Sequence, residues 1–293
     1  METHVISSVP DYLKYIYSLN YAPKTSYTVS SITMFRGQSN ESWDLSPGLY
    51  RKGLFSSENL LLTELMHVCP NEFLQDRFDT LVKMQHFGLP TRLLDTTTNP
   101  LVALYFACKG EKKADGAVFV MDNFPVSWST DPLVSLIMDF VYDYYPYRLW
   151  LDEYLDQSIK KYSNEIHRLM PDDTDSLISY LTIPIFAVMP TKTNARIEAQ
   201  DGAFLLFGMK YRDKEVSTNA GTKGRVYYSF DPVEISQEDS IMRRCKKIII
   251  PAGEKTTILE SLDLLGINER KLFPDLSHQI DYIVGDVTQH TLQ

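Results

Sequence analysis

Helix-like patterns dominate the first half of this 293-residue chain, and strand-like patterns dominate the second half. Apolar residues at helical spacing predict helices at 7–19, 58–67, 72–85, 100–109, 149–169 and 255–265. Short β-branched and aromatic runs predict strands at 32–35, 116–121, 183–189, 203–207, 225–230 and 246–250. Helices and strands that are segregated along a chain are typical of α+β domains rather than of doubly wound sheets. We therefore predict an α+β fold.

The domain organisation follows from the length and from one divergent stretch. With 44% hydrophobic residues, a chain of this length can bury about three quarters of its unfolded surface. Neither internal repeats nor obvious linkers interrupt the sequence. Residues 123–175 are aromatic and acidic, and they lack the polar motifs of their flanks. We predict a single domain over 1–293, with a helical insertion at about 123–175.

The composition also indicates the cellular setting. The N-terminal Met1-Glu2-Thr3-His4 does not begin a secretory signal, and no apolar run approaches the length of a membrane span. Three widely spaced cysteines, Cys69, Cys108 and Cys245, form neither a C-x-x-C pair nor a cluster of metal ligands. We expect a cytoplasmic protein with reduced thiols, no metal and no membrane partner.

The charge balance limits the ways in which the chain could bind nucleic acid. A net charge of −9 disfavours a protein that coats nucleic acid non-specifically. Basic residues are concentrated locally at 243–247 and 210–214, where they are more often solvated surface than binding sites. An enzyme that acts on nucleic acid through a local patch remains compatible with this balance.

The first polar segment is Phe35-Arg36-Gly37-Gln38, at the end of a predicted strand. An arginine in this position directs its planar guanidinium either to an internal carboxylate or to a bound anion. Gly37 permits a sharp turn or a close approach of the backbone to another group. The residues alone leave both interpretations of Arg36 open.

The second polar segment, 85–95, lies between two apolar helices and reads Gln-His-Phe-Gly-Leu-Pro-Thr-Arg-Leu-Leu-Asp. Gly88 is expected to end the first helix, and Pro90 fixes the turn that follows. Polar groups at this density need hydrogen-bond partners, which are either one another or a ligand. His86 alone suits a structural role equally well, but together with Arg92 and Asp95 it favours a site.

The third polar segment is 195–204. If this segment is extended, Arg196, Glu198 and Gln200 share one face of a strand. A solvated sheet edge and a binding site explain such a face equally well. The two earlier segments, which also need polar partners, favour the site.

These three segments resemble the FRG-domain family, which takes its name from the Phe-Arg-Gly found here at 35–37. The resemblance includes Gln38, Pro47, Tyr50-Arg51, 85–95, 99–107, Arg196-Ile197, 200–204, 265–268 and 272–276. It extends over about residues 30–285, which form the motif-bearing core of the predicted domain. Thr96 departs from the family, which usually has tryptophan after Leu-Leu-Asp, and this departure would reshape the pocket wall.

Through the FRG pattern, the chain also resembles, more distantly, ADP-ribosyltransferases of the Arg-Ser-Glu class. That resemblance implies a split β-sheet core and an enzyme that consumes NAD and transfers ADP-ribose to a macromolecule, with RNA or DNA as candidate acceptors. Several FRG-domain proteins are similar to toxins or effectors of bacterial toxin–antitoxin and anti-phage systems. The resemblance therefore also implies an antitoxin protein as a partner.

The same resemblance implies roles for individual residues. The catalytic candidates are Arg36, His86, Asp95, Gln200 and Glu198. The candidates for binding NAD are Arg36, Gly37, Gln38, Thr91, Arg92 and Arg196. Gln200 stands nearest to the position of the family's glutamate but carries no charge, whereas Glu198 carries the charge and is the second candidate for that position.

Two other functions remain open from the sequence. One is a non-catalytic module that binds a nucleotide and signals to a partner protein. The other is a structural interaction domain in which the arginine, histidine and aspartate form a purely internal network. The enzymatic prediction requires that the three segments meet around an open cavity sized for a dinucleotide.

Overall fold

The computed structural model describes residues 2–19, 31–73, 76–143, 148–149, 161, 174–192, 194–221, 223–224, 226–233 and 245–291. Its helices are α1 (Val9–Ser18), α2 (Gly48–Arg51), α3 (Glu58–Val68), α4 (Arg77–His86), α5 (Pro100–Cys108), α6 (Pro132–Asp143), α7 (Thr174–Leu181), α8 (Ala195–Ala199), α9 (Lys255–Leu264), α10 (Glu269–Leu272) and α11 (Leu276–Thr291). Its strands are β1 (Glu2–Val5), β2 (Ser31–Gln38), β3 (Leu93–Thr97), β4 (Gly116–Trp128), β5 (Arg148–Leu149), β6 (Ile185–Met189), β7 (Gly202–Phe207), β8 (Met209–Val216), β9 (Val226–Pro232) and β10 (Cys245–Ile250).

Seven strands form the main sheet, in the order β1-β10-β4-β2-β3-β7-β6, and β5, β9 and β8 form a smaller one. Most neighbouring strands in the main sheet are antiparallel, and helices pack against it. This mixed architecture confirms the α+β fold that the sequence predicts.

The long strand β4 closes part of the main sheet on itself. Its first half pairs with β10 and β2, whereas its last residues, 126–128, pair in parallel with 187–189 of β6. The strands β4, β2, β3, β7 and β6 therefore form a ring of pairings. Met34, Leu94, Phe119 and Leu205 belong to one apolar cluster on the same face of these strands.

Two groups of helices cover the opposite face of the strands. Helices α1, α5 and α9 pack with Phe35 and Val120 over the part of the sheet that contains β2, β4 and β10. Helices α3, α4 and α6 pack with Leu93 and Phe204 over the part that contains β3, β7 and β6. The two groups of helices separate above β2 and β3. These two strands are antiparallel and pair with Phe35 opposite Thr97.

Local sequence signals explain where the helices beside this gap begin and end. The Asp76 side chain caps α4 by accepting hydrogen bonds from the amides of Phe78 and Asp79. Helix α4 ends just before Gly88, whose φ of +95° is readily adopted only by glycine. Helix α5 begins at Pro100, as predicted, and the Asn99 side chain caps it.

Several elements differ from their predicted bounds. The helix predicted at 72–85 begins at Arg77, and the strand predicted at 116–121 continues to Trp128, past the start of the predicted insertion. Residues 93–97, which were not predicted as a strand, form β3. The helix predicted at 149–169 lies outside the described residues, except for 149 in β5 and residue 161. Within the described ranges, no helix is both long and apolar enough to cross a bilayer.

Candidate active-site cleft

A cleft of about 340 Å³ lies where the two groups of helices part. Residues from all three polar segments line it, together with residues of α4, α5 and β7. The lining residues are Phe35, Arg36, Gly37, Val82, Gln85, His86, Asp95, Thr96, Thr97, Phe106, Asn194, Arg196, Ile197, Gln200, Gly202, Ala203 and Phe204. The cleft therefore joins residues that are more than 150 positions apart in the sequence.

Gly37 brings β2 into direct contact with α5 at the floor of the cleft. A Cβ atom at this position would lie 1.9 Å from the carbonyl oxygen of Ala103 and 2.7 Å from the amide nitrogen of Ala107. Only a residue without a side chain fits between the strand and the helix backbone. Of the two roles that the sequence left open for Gly37, the structure thus shows the close approach of the backbone to another group, which is helix α5.

Arg36 projects from β2 into the cleft and is half-buried. Its Nη1 donates to the backbone carbonyl oxygen of Asp95 at 2.5 Å, rather than to the Asp95 carboxylate. Its Nε is buried and has no hydrogen-bond partner among the described residues. Burial lowers the pKa of Arg36, and nearby Arg51 lowers it further while Asp95 opposes the change. Arginine nevertheless stays protonated at neutral pH, so it supplies a fixed positive charge.

Asp95 presents its carboxylate to the cleft from the middle of β3. Its Oδ1 accepts a hydrogen bond of 2.8 Å from Nε2 of Gln85 on α4. The side chain is exposed, although Leu94 and Thr96 on either side are buried. Alternation along the strand accounts for this difference, because successive side chains point to opposite faces.

His86 lies at the end of α4 and lines the cleft beside Asp95. Burial lowers the pKa of its imidazole, and the positive charge of Arg196 lowers the pKa further. Asp275 and Asp95 act in the opposite direction but do not reverse the shift. The ring is therefore neutral at neutral pH and has a nitrogen available to accept a proton.

The third polar segment forms a short helix, α8, and not the predicted strand. Asn194 caps it by accepting a hydrogen bond of 2.8 Å from the amide of Arg196. In a helix, residues four apart share a face, so Arg196 and Gln200 both line the cleft. Glu198 lies on the opposite side of the helix and is exposed to solvent.

Arg196 and Gln200 are held by the C-terminal part of the chain. The guanidinium of Arg196 stacks on the ring of Phe273, with its central carbon 4.7 Å from the ring centroid. Nε2 of Gln200 donates to the carbonyl oxygen of Leu272 at 2.9 Å, which leaves Oε1 as its acceptor for other groups. The backbone carbonyl of Gln200 accepts a hydrogen bond of 2.7 Å from the hydroxyl of Thr97.

The structure places Arg92 in the core, in contrast to the predicted contact with NAD. Arg92 is fully buried and forms hydrogen bonds of 2.8 and 3.0 Å from Nε to the two carboxylate oxygens of Glu58. Its Nη1 also donates to the carbonyl oxygen of Phe207 at 3.2 Å. Since no part of Arg92 reaches the cleft, its role is to join α3, β3 and β7.

Two other predicted NAD contacts are also buried outside the cleft. Gln38 is 3% exposed, and its Nε2 donates to the carbonyl oxygen of Asp44 at 3.4 Å. Thr91 is 2% exposed and donates its hydroxyl proton to Gln85. Both residues support neighbours of the cleft without lining it.

The basic residues noted in the sequence are partly engaged within the protein. Nζ of Lys247 lies 2.7 Å from a carboxylate oxygen of Glu41, and Arg212 lies 3.1 Å from Asp231. Residues 243–244 lie outside the described part of the chain. Among the described residues, the positive charges that line the cleft itself are those of Arg36 and Arg196.

Several residues that line the cleft were not predicted as site residues. Gln85 opens the second polar segment, and its position one residue before His86 was an available signal. Asn194 could have been found as a helix cap two residues before Arg196. Phe106 carries no such signal, because it lies inside an apolar helix whose orientation depends on Gly37.

A family model named FRG domain matches residues 31–116. This range contains the first two polar segments but ends before the third, so it is shorter than the predicted resemblance over 30–285. No curated protein and no solved structure matches the chain. The matched segment runs from β2 to the start of β4 and supplies Arg36, His86 and Asp95 to the cleft. The chain thus contains an FRG domain, which supplies ten of the seventeen residues that line the cleft.

Proposed function

We propose that the cleft binds NAD and that the protein is an ADP-ribosyltransferase. The observation that carries the proposal is the arrangement of charges in one cleft: the Asp95 carboxylate, the neutral imidazole of His86, and the guanidinium groups of Arg36 and Arg196. NAD presents two anionic phosphates and a ribose that becomes positively charged as nicotinamide leaves. Guanidinium groups suit the phosphates, and a carboxylate suits the ribosyl cation.

The size of the cleft supports binding of part of the dinucleotide. Ligand pockets usually enclose roughly 300–1,000 Å³, and the cleft of about 340 Å³ is near the lower end of that range. We assign the nicotinamide ribose to the cleft and the adenosine to the adjoining surface. Arg36 and Arg196 then neutralise the pyrophosphate, and Gln200 binds a ribose hydroxyl through its Oε1.

The transfer balances with groups that line the cleft. The bond between C1′ of the ribose and the nicotinamide nitrogen breaks, and its electron pair neutralises the pyridinium. An acceptor nucleophile forms the new bond to C1′ and loses its proton to the neutral imidazole of His86. Asp95 stabilises the positive charge that develops on the ribose between these events, as carboxylates do in glycoside hydrolysis.

The parting of the helical cover above β2 and β3 supports the further proposal of a split sheet of the ADP-ribosyltransferase kind. From the resemblance we also propose a cytoplasmic toxin or anti-phage effector that modifies RNA or DNA and is neutralised by an antitoxin protein. Synthesis of the active protein without such a partner is then expected to arrest growth.

A second candidate function, a nucleotide sensor without turnover, is favoured by one observation. Glu198 points to solvent and Gln200 donates its amide to Leu272, so the α8 side of the cleft supplies no carboxylate. Such a cleft would bind a nucleotide intact and signal to a partner protein.

Transfer of labelled ADP-ribose separates the two functions. We expect the purified protein, incubated with NAD labelled in the adenosine, to label the RNA or DNA fraction of a cell extract rather than the protein fraction. An Asp95→Asn variant is expected to lose this labelling and also to be tolerated by growing cells, because it lacks the stabilising carboxylate. Saturable NAD binding without any labelled product would favour the nucleotide sensor. If the protein neither binds NAD nor labels any fraction, both the transferase and the sensor are refuted.

A further inference from the structure

The Asp95 carboxylate is held in place by a short series of hydrogen bonds that begins at Thr91. The amide of Leu93 donates to Oγ1 of Thr91 at 3.1 Å, so this oxygen already serves as an acceptor. Its hydroxyl proton is directed to Oε1 of Gln85, which is therefore the acceptor end of the glutamine amide. Thr91 is 2% exposed, so water does not compete readily for this bond.

The orientation of the Gln85 amide follows from that contact. With Oε1 facing Thr91, the NH₂ group faces Asp95 and donates to Oδ1 at 2.8 Å. The reverse orientation would place two oxygens, Oε1 and Oδ1, against each other. One hydroxyl in the core thus determines which end of the amide meets the carboxylate.

The chain reversal between α4 and β3 makes this arrangement possible. Gly88 adopts a φ of +95°, and its amide donates to the carbonyl oxygen of Gln85 at 2.9 Å. The amide of Leu89 donates to the carbonyl oxygen of Met84 at 3.0 Å. These bonds turn the chain so that position 85, at the end of the helix, faces position 95 in the following strand.

Asp95 is then fixed at two points. Arg36 binds its backbone carbonyl oxygen, and Gln85 binds Oδ1. The second carboxylate oxygen, Oδ2, has no hydrogen-bond partner among the described residues and belongs to a side chain that lines the cleft. Without the Gln85 contact, the carboxylate could rotate about its side-chain torsions.

We propose that Gln85 is a positioning residue, oriented by Thr91, which aims the Asp95 carboxylate at the ribose. This proposal rests on the proposed function, because the ribose is the group that the carboxylate would meet. Thr91 does not line the cleft, and the side-chain amide of Gln85 is bonded to Thr91 at one end and to Asp95 at the other, so we expect their effect on the reaction to pass through Asp95.

The test compares Thr91→Val with Thr91→Ser and adds Gln85→Glu. Serine keeps the hydroxyl, whereas valine removes it at almost the same volume. We expect Thr91→Val to lower kcat for nicotinamide release by about 10- to 100-fold with little change in KM for NAD, and Thr91→Ser to restore most of kcat. Equal kinetics for the valine and serine variants, with both shown to be folded, would overturn the proposal.

The Gln85→Glu variant supplies a pH-dependent readout. It retains the acceptor for Thr91 but places a second carboxylate against Oδ1 of Asp95. Two adjacent carboxylates resist simultaneous ionisation, so the acidic limb of the pH–rate profile is expected to move to higher pH. An unchanged profile with an unchanged kcat would overturn the proposal.

Side-chain amide NMR separates this proposal from the proposed function. If the wild-type protein releases no nicotinamide, the proposed reaction fails, and the Gln85 amide signals still report the hydrogen bonds. We expect the Gln85 amide proton that is donated to Asp95 to resonate downfield of that of a solvent-exposed glutamine in the wild type and in Thr91→Ser, and to move toward the solvent-exposed position in Thr91→Val. Identical Gln85 signals in the three proteins would overturn the positioning role, whether or not the protein turns NAD over.

Discussion

Charges of both signs shift the pKa of His86, because Arg196 lowers it and Asp95 raises it. Burial is the larger effect, and it lowers the pKa of the ring below the ordinary value of a histidine. The unfolded chain therefore takes up a proton before the folded chain does as the pH falls. His86 contributes to stability above the ordinary histidine pKa, and that contribution is lost as the pH falls through the lowered value.

Removing one charge tests this electrostatic arrangement. In Arg196→Gln, we expect the pKa of His86 to rise, yet to stay below the ordinary value because burial remains. Titration of the histidine ring protons by NMR measures the change. Arg212→Gln is the matched control, since Arg212 is exposed and pairs with Asp231. A His86 pKa that is the same in both variants would show that Arg196 does not act on the ring.

At the scale of elements, the contact between β2 and α5 sets the floor of the cleft. It depends on Gly37, because a side chain would overlap the backbone of Ala103. Small-to-large changes in a packed interior usually cost about 1–3 kcal/mol or more, since neighbours must move. The backbone of a helix can move less than a flexible side chain, so the upper end of that range applies here.

We therefore expect Gly37→Ala to lower the free energy of unfolding by about 3 kcal/mol. Denaturant unfolding measures the loss. Gly253→Ala is the control, because a Cβ there would meet no atom within 4 Å, and it should change stability by less than about 0.5 kcal/mol. Equal stabilities of the two variants would contradict the close packing of β2 on α5.

The ion pair between Arg92 and Glu58 joins α3 to β3 within the core. Both side chains are almost completely buried, at 0% and 2% exposure. Glu58→Gln leaves the guanidinium charge buried without its counterion, so we expect a loss of about 3–5 kcal/mol in the free energy of unfolding. Asp231→Asn, which breaks an exposed pair with Arg212, should cost less than about 1 kcal/mol. Similar losses in the two variants would contradict the structural role of Arg92.

At the scale of the whole molecule, the sequence predicted the α+β class and much of the local structure. Capping by Asn99 and the helix stop at Gly88 depend on neighbouring residues, so they are visible in the sequence. The ring of five strands is not visible, because β4 meets β6 about 60 residues away. Such long-range pairings depend on tertiary packing rather than on a local pattern.

The candidate site was predictable to the same extent. The density of polar residues identified the three segments. One cleft is indeed lined by residues from all three, namely Arg36, His86, Asp95, Arg196 and Gln200. The burial of Arg92 could not be predicted locally, because its partner Glu58 is 34 residues away. The alternation of polar and apolar residues at 195–200 is compatible with a strand and with a short helix. The Asn194 cap at the start of α8 is the local feature that distinguishes the helix from the strand. In the helical conformation, Gln200 lines the cleft and Glu198 lies outside it.

Nicotinamide release by matched carboxylate variants tests the central claim most directly. Asp95→Asn and Glu198→Gln each remove one negative charge at almost constant volume, the first inside the cleft and the second outside it. We predict that Asp95→Asn lowers the rate of release at least about 100-fold, whereas Glu198→Gln stays within about twofold of the wild type. The opposite result, with release dependent on Glu198 and indifferent to Asp95, would contradict the assignment of the cleft as the NAD site.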